Sequence, residues 1–556
     1  MNIDIINGDQ MEIKNFYPQA LVIKTADDII AASSDLLLQN NDTVEEAKES
    51  INVAKESDAI RILKTILDNI FHRHGQTESA FTIMIESYYV DPIYRDSYYF
   101  HYAAKHLAYD RYCIRLFFLD LVEPNPENIL KIPENELNSK VIGVSTIRPA
   151  SDQSYIIGRT LLSPLAFVNL KADQICTATF KVSMFGKRFL IKAFPYMMQD
   201  AEVITCAETT ILHLLDYFSN KYNLYRSTLP NELAKIEEQS AEQRIMPSQG
   251  LSYTTISHIL TELNFYPRLY GFDDTTSSIK RKRIMHYYID SAIPVAVSLS
   301  PTNTRDLAHS IVGIGIKSDI ENIESVEAIN LGGYFFLDSA DLYKKYVVMN
   351  DSSAPYSEMK FTDNEDSKIQ LGNLTYEFVM SSLIAPLSKR MFLNSEDACA
   401  IIINILSDSL MGLAKTLTNI EKEYPYRELG KTKNNPIIYR IFLSRGSGFK
   451  RKRSSSSNKC NSEIAKIYKS IPLPNFVWVC EFFSYDSFKE GQALGEIVID
   501  ATANNSAGAS SVLLINYPHR FAYRLPDEPI ECLYERFSYE NTEIWEKFPS
   551  YKHGKN

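Results

Sequence analysis

The chain has 556 residues, of which 23% are charged and 45% hydrophobic, and its formal net charge is -11 at pH 7. This length is too great for one compact core and predicts two to four domains, while the composition excludes disorder over most of the chain. The acidic balance argues against a nucleic-acid-binding protein, because such domains carry a basic excess.

The cysteines and the apolar segments indicate in which cellular compartment the protein is located. The seven cysteines are scattered and form no CxxC pair, so they predict neither a disulfide framework nor a zinc site. Residues 1–19 hold charged side chains in place of an apolar signal core, and no later segment reaches membrane-spanning length without polar residues. We therefore expect a cytoplasmic protein with no metal, no other cofactor and no membrane partner.

The chain begins with a predicted helical segment, which we assign to residues 1–75. Apolar residues recur at three- and four-residue steps from about residue 26 to residue 71. Asn40, Asn41 and Asp42 interrupt this pattern, so the segment is expected to form two helices.

Residues 76–193 differ from the first segment in their sequence pattern. Strand-like runs such as KVIGVSTIRP and YIIGRTLLSP occur among aromatic-rich segments, and ATFKVSMFGKRFLIKAF predicts a hairpin turning at Phe185 and Gly186. We expect a mixed α/β domain that presents or recognises a substrate. The stretch 141–163 shares some sequence features with an N-acetyltransferase sheet, but it lacks the glycine-rich loop that would bind the pyrophosphate of coenzyme A.

Residues 194–360 are predicted to form a third domain, in which helices precede an antiparallel sheet. One helix begins at Cys206, and its apolar residues share one face. A second helix is expected over Tyr253 to Leu263. Strands are predicted at 293–299, 309–316, 334–337 and 346–349.

Residues 361–556 are predicted to form a helix followed by a β-rich domain. The helix runs from Glu396 to Leu417 and buries the segment AIIINIL, and the strands are IIYRIFL, FVWVCEFF, GEIVIDAT and SVLLINY. The stretch 444–463 is rich in serine, glycine and charge, which predicts a mobile loop. The whole chain is therefore expected to be a multidomain α+β protein.

Cys206 is the clearest candidate for a catalytic residue in the sequence. A thiol is a strong nucleophile as the thiolate, and the unpaired N–H groups and positive dipole of a helix N-terminus lower its pKa. His309 begins a predicted strand and Asp351 follows another. An imidazole beside the thiol would complete the activation by holding the thiolate as an ion pair.

The order Cys206, His309, Asp351, with a helix on the cysteine and strands under the other two residues, resembles the papain-like cysteine peptidases. The resemblance is to the bacterial C39-like peptidases in particular and covers roughly residues 195–355. It implies a central domain in which the helix carrying the cysteine packs on an antiparallel sheet carrying the histidine and the aspartate. It also implies a thiol hydrolase.

The same resemblance implies the remaining site residues. Gln199 and the backbone N–H of Cys206 would stabilise the tetrahedral oxyanion, and Asp351 would fix the histidine tautomer. Gln199 stands seven residues before Cys206 where the family usually has five or six, and Ala207 replaces the glycine that commonly follows the nucleophile. Asn350 is the alternative to Asp351 as the third member of the catalytic triad.

Other polar groups have simpler interpretations. His72 and His74 are two residues apart, so a helix would point them to different sides and away from a shared metal. His213 is expected to face solvent. The basic runs Lys280–Arg283 and Lys450–Arg453 are expected to be solvated loops rather than sites for an acidic partner or a phosphate.

These observations predict a cytosolic, bacterial cysteine peptidase that hydrolyses a peptide or isopeptide bond in a specific protein substrate. Its partners would be that protein or peptide substrate and an activating protein. Two alternatives stay open. One is a catalytically inactive papain-like interaction protein. The other is a related thiol acyltransferase, deamidase or transglutaminase, or an effector in a bacterial defence system.

Overall fold

The computed structural model describes fifteen stretches of the chain. They are residues 18–37, 58–73, 79–150, 155–239, 251–302, 308–361, 369–371, 377–408, 428–455, 462–504, 508, 510–517, 520–525, 537–538 and 548–553.

The helices and strands are numbered here in chain order. The helices are α1 (Ala26–Leu37), α2 (Asp58–Phe71), α3 (Pro92–Phe100), α4 (Pro126–Lys131), α5 (Glu134–Asn138), α6 (Cys206–Lys221), α7 (Pro230–Glu238), α8 (Tyr253–Glu262), α9 (Ser278–Asp290), α10 (Ser395–Ser407), α11 (Gly446–Arg453), α12 (Ser462–Ser470) and α13 (Tyr485–Glu490). The strands are β1 (Gln19–Ile23), β2 (Phe81–Tyr89), β3 (Cys113–Leu119), β4 (Val141–Pro149), β5 (Tyr155–Leu162), β6 (Ala172–Ile175), β7 (Ala178–Met184), β8 (Lys187–Tyr196), β9 (Tyr266–Gly271), β10 (Val295–Pro301), β11 (His309–Lys317), β12 (Ile329–Leu331), β13 (Tyr334–Asp338), β14 (Lys345–Met349), β15 (Ser357–Phe361), β16 (Ile369–Leu371), β17 (Glu377–Leu387), β18 (Ile437–Arg445), β19 (Phe476–Phe483), β20 (Gln492–Ala493), β21 (Gly495–Asp500), β22 (Val512–Tyr517), β23 (Arg520–Tyr523), β24 (Phe537–Ser538) and β25 (Phe548–Pro549).

The N-terminal sheet is antiparallel, with strand order β1-β2-β3-β4-β5-β8-β7. The predicted hairpin is confirmed, because β7 and β8 meet at Phe185 and Gly186, which have φ values of 44° and 84°. The predicted boundary at residues 75/76 is wrong, since β1 pairs with β2 and so lies in this sheet. A single short strand far from its partner in sequence carries no local sign of that pairing. The predicted break at Asn40, Asn41 and Asp42 lies outside the described residues.

The central barrel consists of β10, β11, β14, β15, β16 and β17, and the antiparallel pairing of β10 with β17 closes it. The predicted domain end at residue 360 is therefore wrong, because closure requires β17, which ends at Leu387. On the outside, β9 pairs with β17 and β6 pairs with β11. Gly315 permits the second contact, since a Cβ atom there would lie 2.9 Å from the backbone oxygen of Gln174.

The C-terminal sheet has strand order β12-β13-β18-β19-β21-β22-β23-β24 and confirms the predicted β-rich region. One strand assigned by sequence to the third domain belongs to it, since β13 pairs in parallel with β18. The helix predicted to end at Leu417 is described to Ser407, and residues 409–427 lie outside the described part. Together these elements confirm an α+β protein with several antiparallel sheets.

Helix α6 is enclosed, because it packs against β7 and β8 on one side and against β10 and β11 of the barrel on the other. The prediction that His213 faces solvent is therefore wrong, since its exposed fraction is 1%. Its Nε2 accepts a hydrogen bond of 2.8 Å from the backbone N–H of Met197, and burial lowers its pKa to about 3. From Ala207 to Leu215 every side chain of the helix is buried, so this part of it has no face toward water.

Two predicted loops are helices. Within 444–463, residues Gly446–Arg453 form α11 and bury Phe449 and Arg453. The run Lys280–Arg283 lies in α9, where Arg281 and Lys282 are buried. Both predictions failed for one reason, because carboxylates and backbone carbonyls from distant parts of the chain pair with these cations.

Two further observations concern metals and membranes. His72 hydrogen-bonds through Nδ1 to the backbone oxygen of Asp68, and His74 lies outside the described residues, so the predicted divergence of the two rings is not tested. Within the described part, no helix combines the length and the apolar character needed to cross a membrane.

Candidate active site

Cys206 is the first residue of α6, as predicted. Thr205 is the helix N-cap and forms a capping box with Glu208, whose carboxylate accepts a hydrogen bond from the backbone N–H of Thr205. Cys206 is a free, partly exposed cysteine. The cap fixes the first turn of the helix and therefore the position of the sulfur.

The thiol of Cys206 does not have the lowered pKa that its helix position predicts. Burial and, to a smaller extent, the negative charge of Asp351 raise its pKa to about 11. Hydrogen bonds from the backbone N–H groups of Ser310 and Ala207 act in the opposite direction but are weaker than burial. This raised pKa favours a neutral thiol at neutral pH over the thiolate that the predicted ion pair with His309 requires.

His309 is the first residue of β11, and Asn350 directly follows β14. The Nε2 atom of His309 lies 2.8 Å from Oδ1 of Asn350. The backbone N–H of Ser352 also donates to this Oδ1, at 3.1 Å, which identifies the atom as the amide oxygen. His309 must therefore donate from Nε2, so the neutral ring carries its lone pair on Nδ1.

Asp351 has a different relation to the ring. Its Oδ1 lies 3.6 Å from Nε2 of His309 and accepts a hydrogen bond from the hydroxyl of Ser352. Its Oδ2 is buried without a hydrogen-bond partner, and burial raises the pKa of the carboxyl group. The orienting hydrogen bond thus belongs to Asn350, the rival position, while Asp351 supplies charge beside the ring.

One cleft brings the predicted residues together. It has a volume of about 590 Å³, and its lining includes Gln199, Cys206 and His309. The rest of the described lining is small, apolar or hydroxylated: Ala201, Thr205, Ala207, Leu251, Ser252, Tyr253, Ile256, Ser298, Ala308, Ser310 and Ser381. Asn350 and Asp351 lie behind His309 and are buried, with exposed fractions of 1% and 3%.

The loop formed by residues 197–205 connects Gln199 to Cys206, and Asp200 organises it. Asp200 Oδ1 accepts hydrogen bonds of 2.8–3.0 Å from three consecutive backbone N–H groups, those of residues 202–204. Its other oxygen pairs at 3.2 Å with Nη1 of Arg148, and both side chains are almost fully buried. Within the loop, Ala201 has a left-handed φ of 59°.

Sequence reasoning missed both members of this pair. Arg148 follows seven uncharged residues in the predicted strand KVIGVSTIRP, and a cation there is the signal that could have indicated a buried partner. Asp200 follows Gln199 directly, but nothing local shows that its partner lies on β4 of the N-terminal sheet.

The neighbouring Glu202 also ties the loop to the N-terminal sheet region. His101 lies 2.8 Å from Glu202 through Nε2, and Lys105 forms an ion pair with the same oxygen. In the turn that follows β14, the backbone oxygen of Ser353 accepts a hydrogen bond from the hydroxyl of Tyr196 in β8. The domain expected only to recognise substrate therefore also holds both segments that carry site residues.

The chemistry available here is that of a thiol and an imidazole with a fixed tautomer. Within the described residues, no three His, Cys, Asp or Glu side chains are grouped so that they could hold a metal ion.

The chain was also compared with known proteins. No model of a known protein family matches it, and no curated protein matches it either.

Proposed function

We propose that the protein is a papain-like cysteine peptidase that hydrolyses a peptide or isopeptide bond in a protein substrate. Cys206 is the nucleophile and His309 the general base and acid. Asn350 orients the ring, Asp351 stabilises its charged form, and Gln199 acts on the oxyanion. The observation that carries the proposal is the Nε2–H tautomer of His309, which leaves a basic Nδ1 in the cleft that contains the Cys206 thiol.

In the first half of the reaction, the sulfur of Cys206 attacks the substrate carbonyl carbon as its proton moves to Nδ1 of His309. Because the resting thiol is neutral, this proton transfer accompanies attack. The side chain of Gln199 and the backbone N–H of Cys206 donate to the oxyanion. The imidazolium then protonates the amine nitrogen as the C–N bond breaks, which yields a thioester and a free amine.

In the second half, a water molecule attacks the thioester and gives its proton to Nδ1 of His309. The C–S bond breaks, the acid product leaves, and the proton returns to the sulfur. The negative charge of Asp351, 3.6 Å from Nε2, favours the imidazolium in both halves. Asn350 keeps Nδ1 directed toward the cleft throughout.

Labelling of new protein N-termini in cells that express the wild type or Cys206→Ala tests the proposal. We expect termini that occur only with the wild type, and their sequences identify the substrate. For an isopeptide bond, the expected result is the loss of branched lysine peptides with the wild type only. Cys399→Ala is the matched control, because Cys399 is another free, partly exposed cysteine and does not line the cleft. The proposal is contradicted if every terminus found with the wild type also occurs with Cys206→Ala and no branched lysine peptide is lost.

A second candidate is a catalytically inactive interaction protein with a papain-like domain. The raised pKa of Cys206 favours it, because the resting thiol is less nucleophilic than a thiolate. This candidate predicts no product specific to the wild type in the labelling experiment. It also predicts that Cys206→Ala binds the same proteins as the wild type.

A further inference from the structure

An exposed cluster of tyrosine and arginine side chains lies between the end of β2, helix α3 and the start of β3. We call it the tyrosine–arginine surface, and it consists of Tyr88, Arg95, Tyr99, Arg111 and Tyr112. The guanidinium carbon of Arg95 is 5.6 Å from the ring centroid of Tyr99 and 5.6 Å from that of Tyr112. Arg111 lies 5.5 Å from the Tyr112 ring, and the Tyr88 and Tyr112 centroids are 5.6 Å apart.

Tyr88, Tyr99 and Arg111 are exposed, whereas Arg95 and Tyr112 are half-buried between them. Tyr99 has an exposed fraction of 62%, Tyr88 has one of 42%, and the neighbouring Val90 has one of 46%. Tyrosine and arginine are the residue types enriched at the centres of protein interfaces. Exposed rings grouped at one place on a protein surface are typical of a binding site.

The backbone at Tyr88 supports the same interpretation. Tyr88 has a φ of 57°, which is a rare conformation for a bulky side chain. It lies where the register of β2 against β3 shifts between Glu86 and Tyr89. Bulges of this kind redirect a side chain, and strained backbone clusters at functional sites. Here the bulge places Tyr88 beside Tyr112.

The charge of the surface indicates what it binds. Neither Arg95 nor Arg111 forms an ion pair within the described part of the chain. Of the adjacent carboxylates, Asp96 accepts from the backbone N–H of the distant Asn231, and the exposed Asp110 accepts from the backbone N–H of Tyr112 within the surface, so neither pairs with an arginine of the surface. The chain as a whole has a net charge of -11. Two arginines held over rings without acidic partners are therefore suited to carboxylates from another molecule.

We propose that the tyrosine–arginine surface docks an acidic segment of a partner protein. Carboxylates of the segment would pair with Arg95 and Arg111, and its apolar or aromatic side chains would pack on Tyr88, Tyr99 and Tyr112.

The surface is linked to the cleft by a short path along the chain. Helix α3 leads to His101 and Lys105, which both bind Glu202, and Glu202 adjoins the cleft residue Ala201. The further statement that the docked partner is the substrate rests on the proposed function, whereas the binding itself does not.

Selection of random twelve-residue peptides displayed on phage tests the binding directly. The target is the full-length Cys206→Ala protein, and a parallel target also carries Arg95→Gln and Arg111→Gln. We expect the selected peptides to be enriched in Asp and Glu together with aromatic residues. The best peptide, synthesised with a fluorescent label, should bind the double arginine variant at least tenfold more weakly. Its affinity should also fall with added salt.

The matched control is Arg390→Gln with Arg451→Gln, which makes the same change in net charge at two exposed arginines elsewhere. This variant should keep the wild-type affinity. Tyr99→Ser tests the aromatic contribution without touching a charge, and it should weaken binding several-fold. Circular dichroism of each variant verifies that it is folded.

Several results would overturn the proposal. Selected peptides without acidic enrichment would do so, as would equal binding to the folded double arginine variant. Binding of a labelled single strand of twelve thymidines that is lost in that variant, with no acidic peptide selected, would assign the surface to nucleic acid instead. Because all targets carry Cys206→Ala, none of these results depends on peptidase activity.

Discussion

Two buried groups of charges differ in their relation to the cleft. The pair Arg148–Asp200 joins the N-terminal sheet to the 197–205 loop, which leads to Cys206. The second group, which we call the C-terminal ionic cluster, joins α9, which packs on the barrel, to the C-terminal sheet region and consists of Asp290, Arg440, Arg453, Glu481 and Glu496. Neither group is among the residues that line the cleft.

The two groups differ in which other parts of the chain are hydrogen-bonded to their carboxylates. In the first, Asp200 accepts from three backbone N–H groups of the 197–205 loop, so its position determines the shape of the cleft wall. In the C-terminal ionic cluster, Glu481 accepts from Ser550 and from the backbone N–H of Tyr551, and Tyr468 donates to Glu496. Those contacts fix the C-terminal residues and α12. Comparable buried charges thus serve the site in one region and the fold alone in the other.

The largest effect is expected from Arg453→Met in the C-terminal ionic cluster. Arg453 has an exposed fraction of 3%, and it bonds Glu481 and Glu496, which are fully buried. Removing one partner of a buried ion pair costs about 3–5 kcal/mol, because the other charge stays buried. We expect the free energy of unfolding in urea to fall by that amount, while kcat and KM per folded molecule stay unchanged.

Arg451→Met on the same helix is the matched control, because Arg451 is exposed. Its free energy of unfolding should stay within about 0.5 kcal/mol of the wild type. A change in kcat for Arg453→Met would contradict the separation between the two groups.

Asp200→Asn makes the corresponding change beside the cleft. The amide oxygen can still accept from the loop, but Arg148 is left buried without its counter-charge, at an expected cost of about 3 kcal/mol. Unlike Arg453→Met, this change should also lower kcat, by about tenfold, because the displaced loop contains Gln199 and leads to Cys206. Urea unfolding and steady-state kinetics on the identified substrate measure the two effects separately.

Glu202→Gln is the control for Asp200→Asn, since Glu202 lies in the same loop and its partner Lys105 is partly exposed. It should change stability by less than about 1 kcal/mol and leave kcat near the wild-type value. If Asp200→Asn lowers stability without lowering kcat, the position of Asp200 does not determine the positions of Gln199 and Cys206.

Asn350→Ala compared with Asp351→Asn separates orientation from charge within the site. Without Oδ1 of Asn350, His309 loses the bond that fixes its tautomer, and we expect kcat/KM to fall about a hundredfold, or about 2.7 kcal/mol. Asp351→Asn removes only a charge 3.6 Å from the ring and should cost about tenfold.

Ser353→Ala in the same turn is the control and should retain the wild-type kcat/KM. A larger loss of kcat/KM for Asp351→Asn than for Asn350→Ala would mean that Asp351, and not Asn350, is the third member of the catalytic triad.

The sequence predicts elements that carry local signals. The strands β4, β5, β18 and β19 follow from apolar runs, the hairpin follows from Phe185 and Gly186, and the start of α6 lies at Cys206 as expected. Barrel closure could not be predicted, because the residues that pair, such as Ala296 and Ile384, are far apart in the chain. Periodicity describes one element at a time and contains no information about its partner.

The site shows the same limit. The helix and strand positions of Cys206 and His309 follow from local pattern, and so does their order in the chain. The burial of His213 does not, because an amphipathic helix can be covered on its second side by another sheet. The protonation state of the thiol depends on burial and on Asp351, and neither can be obtained from the helix N-terminus alone.

The smallest expected effect concerns the thiol itself and compares Cys206 with Cys399, which lies near the C-terminal sheet. Burial raises the pKa of Cys206 to about 11 and that of Cys399 to about 12. Since the thiolate is the reactive form, alkylation of Cys206 by iodoacetamide should rise about tenfold for each pH unit between pH 6 and pH 9, without a plateau. At any pH in this range Cys206 should react about tenfold faster than Cys399, as measured by mass spectrometry of the labelled peptides.

Asp351→Asn sharpens this test because the sign of its effect is fixed. The carboxylate of Asp351 raises the pKa of the Cys206 thiol, so its removal lowers that pKa and increases the thiolate fraction at pH 8. Alkylation of Cys206 should therefore become several-fold faster in a variant whose turnover is slower, while Cys399 is unaffected. A plateau below pH 8 in the wild type would instead mean a thiolate stabilised by the helix N-terminus and by an ion pair with His309. In that case these positive charges outweigh burial at this position.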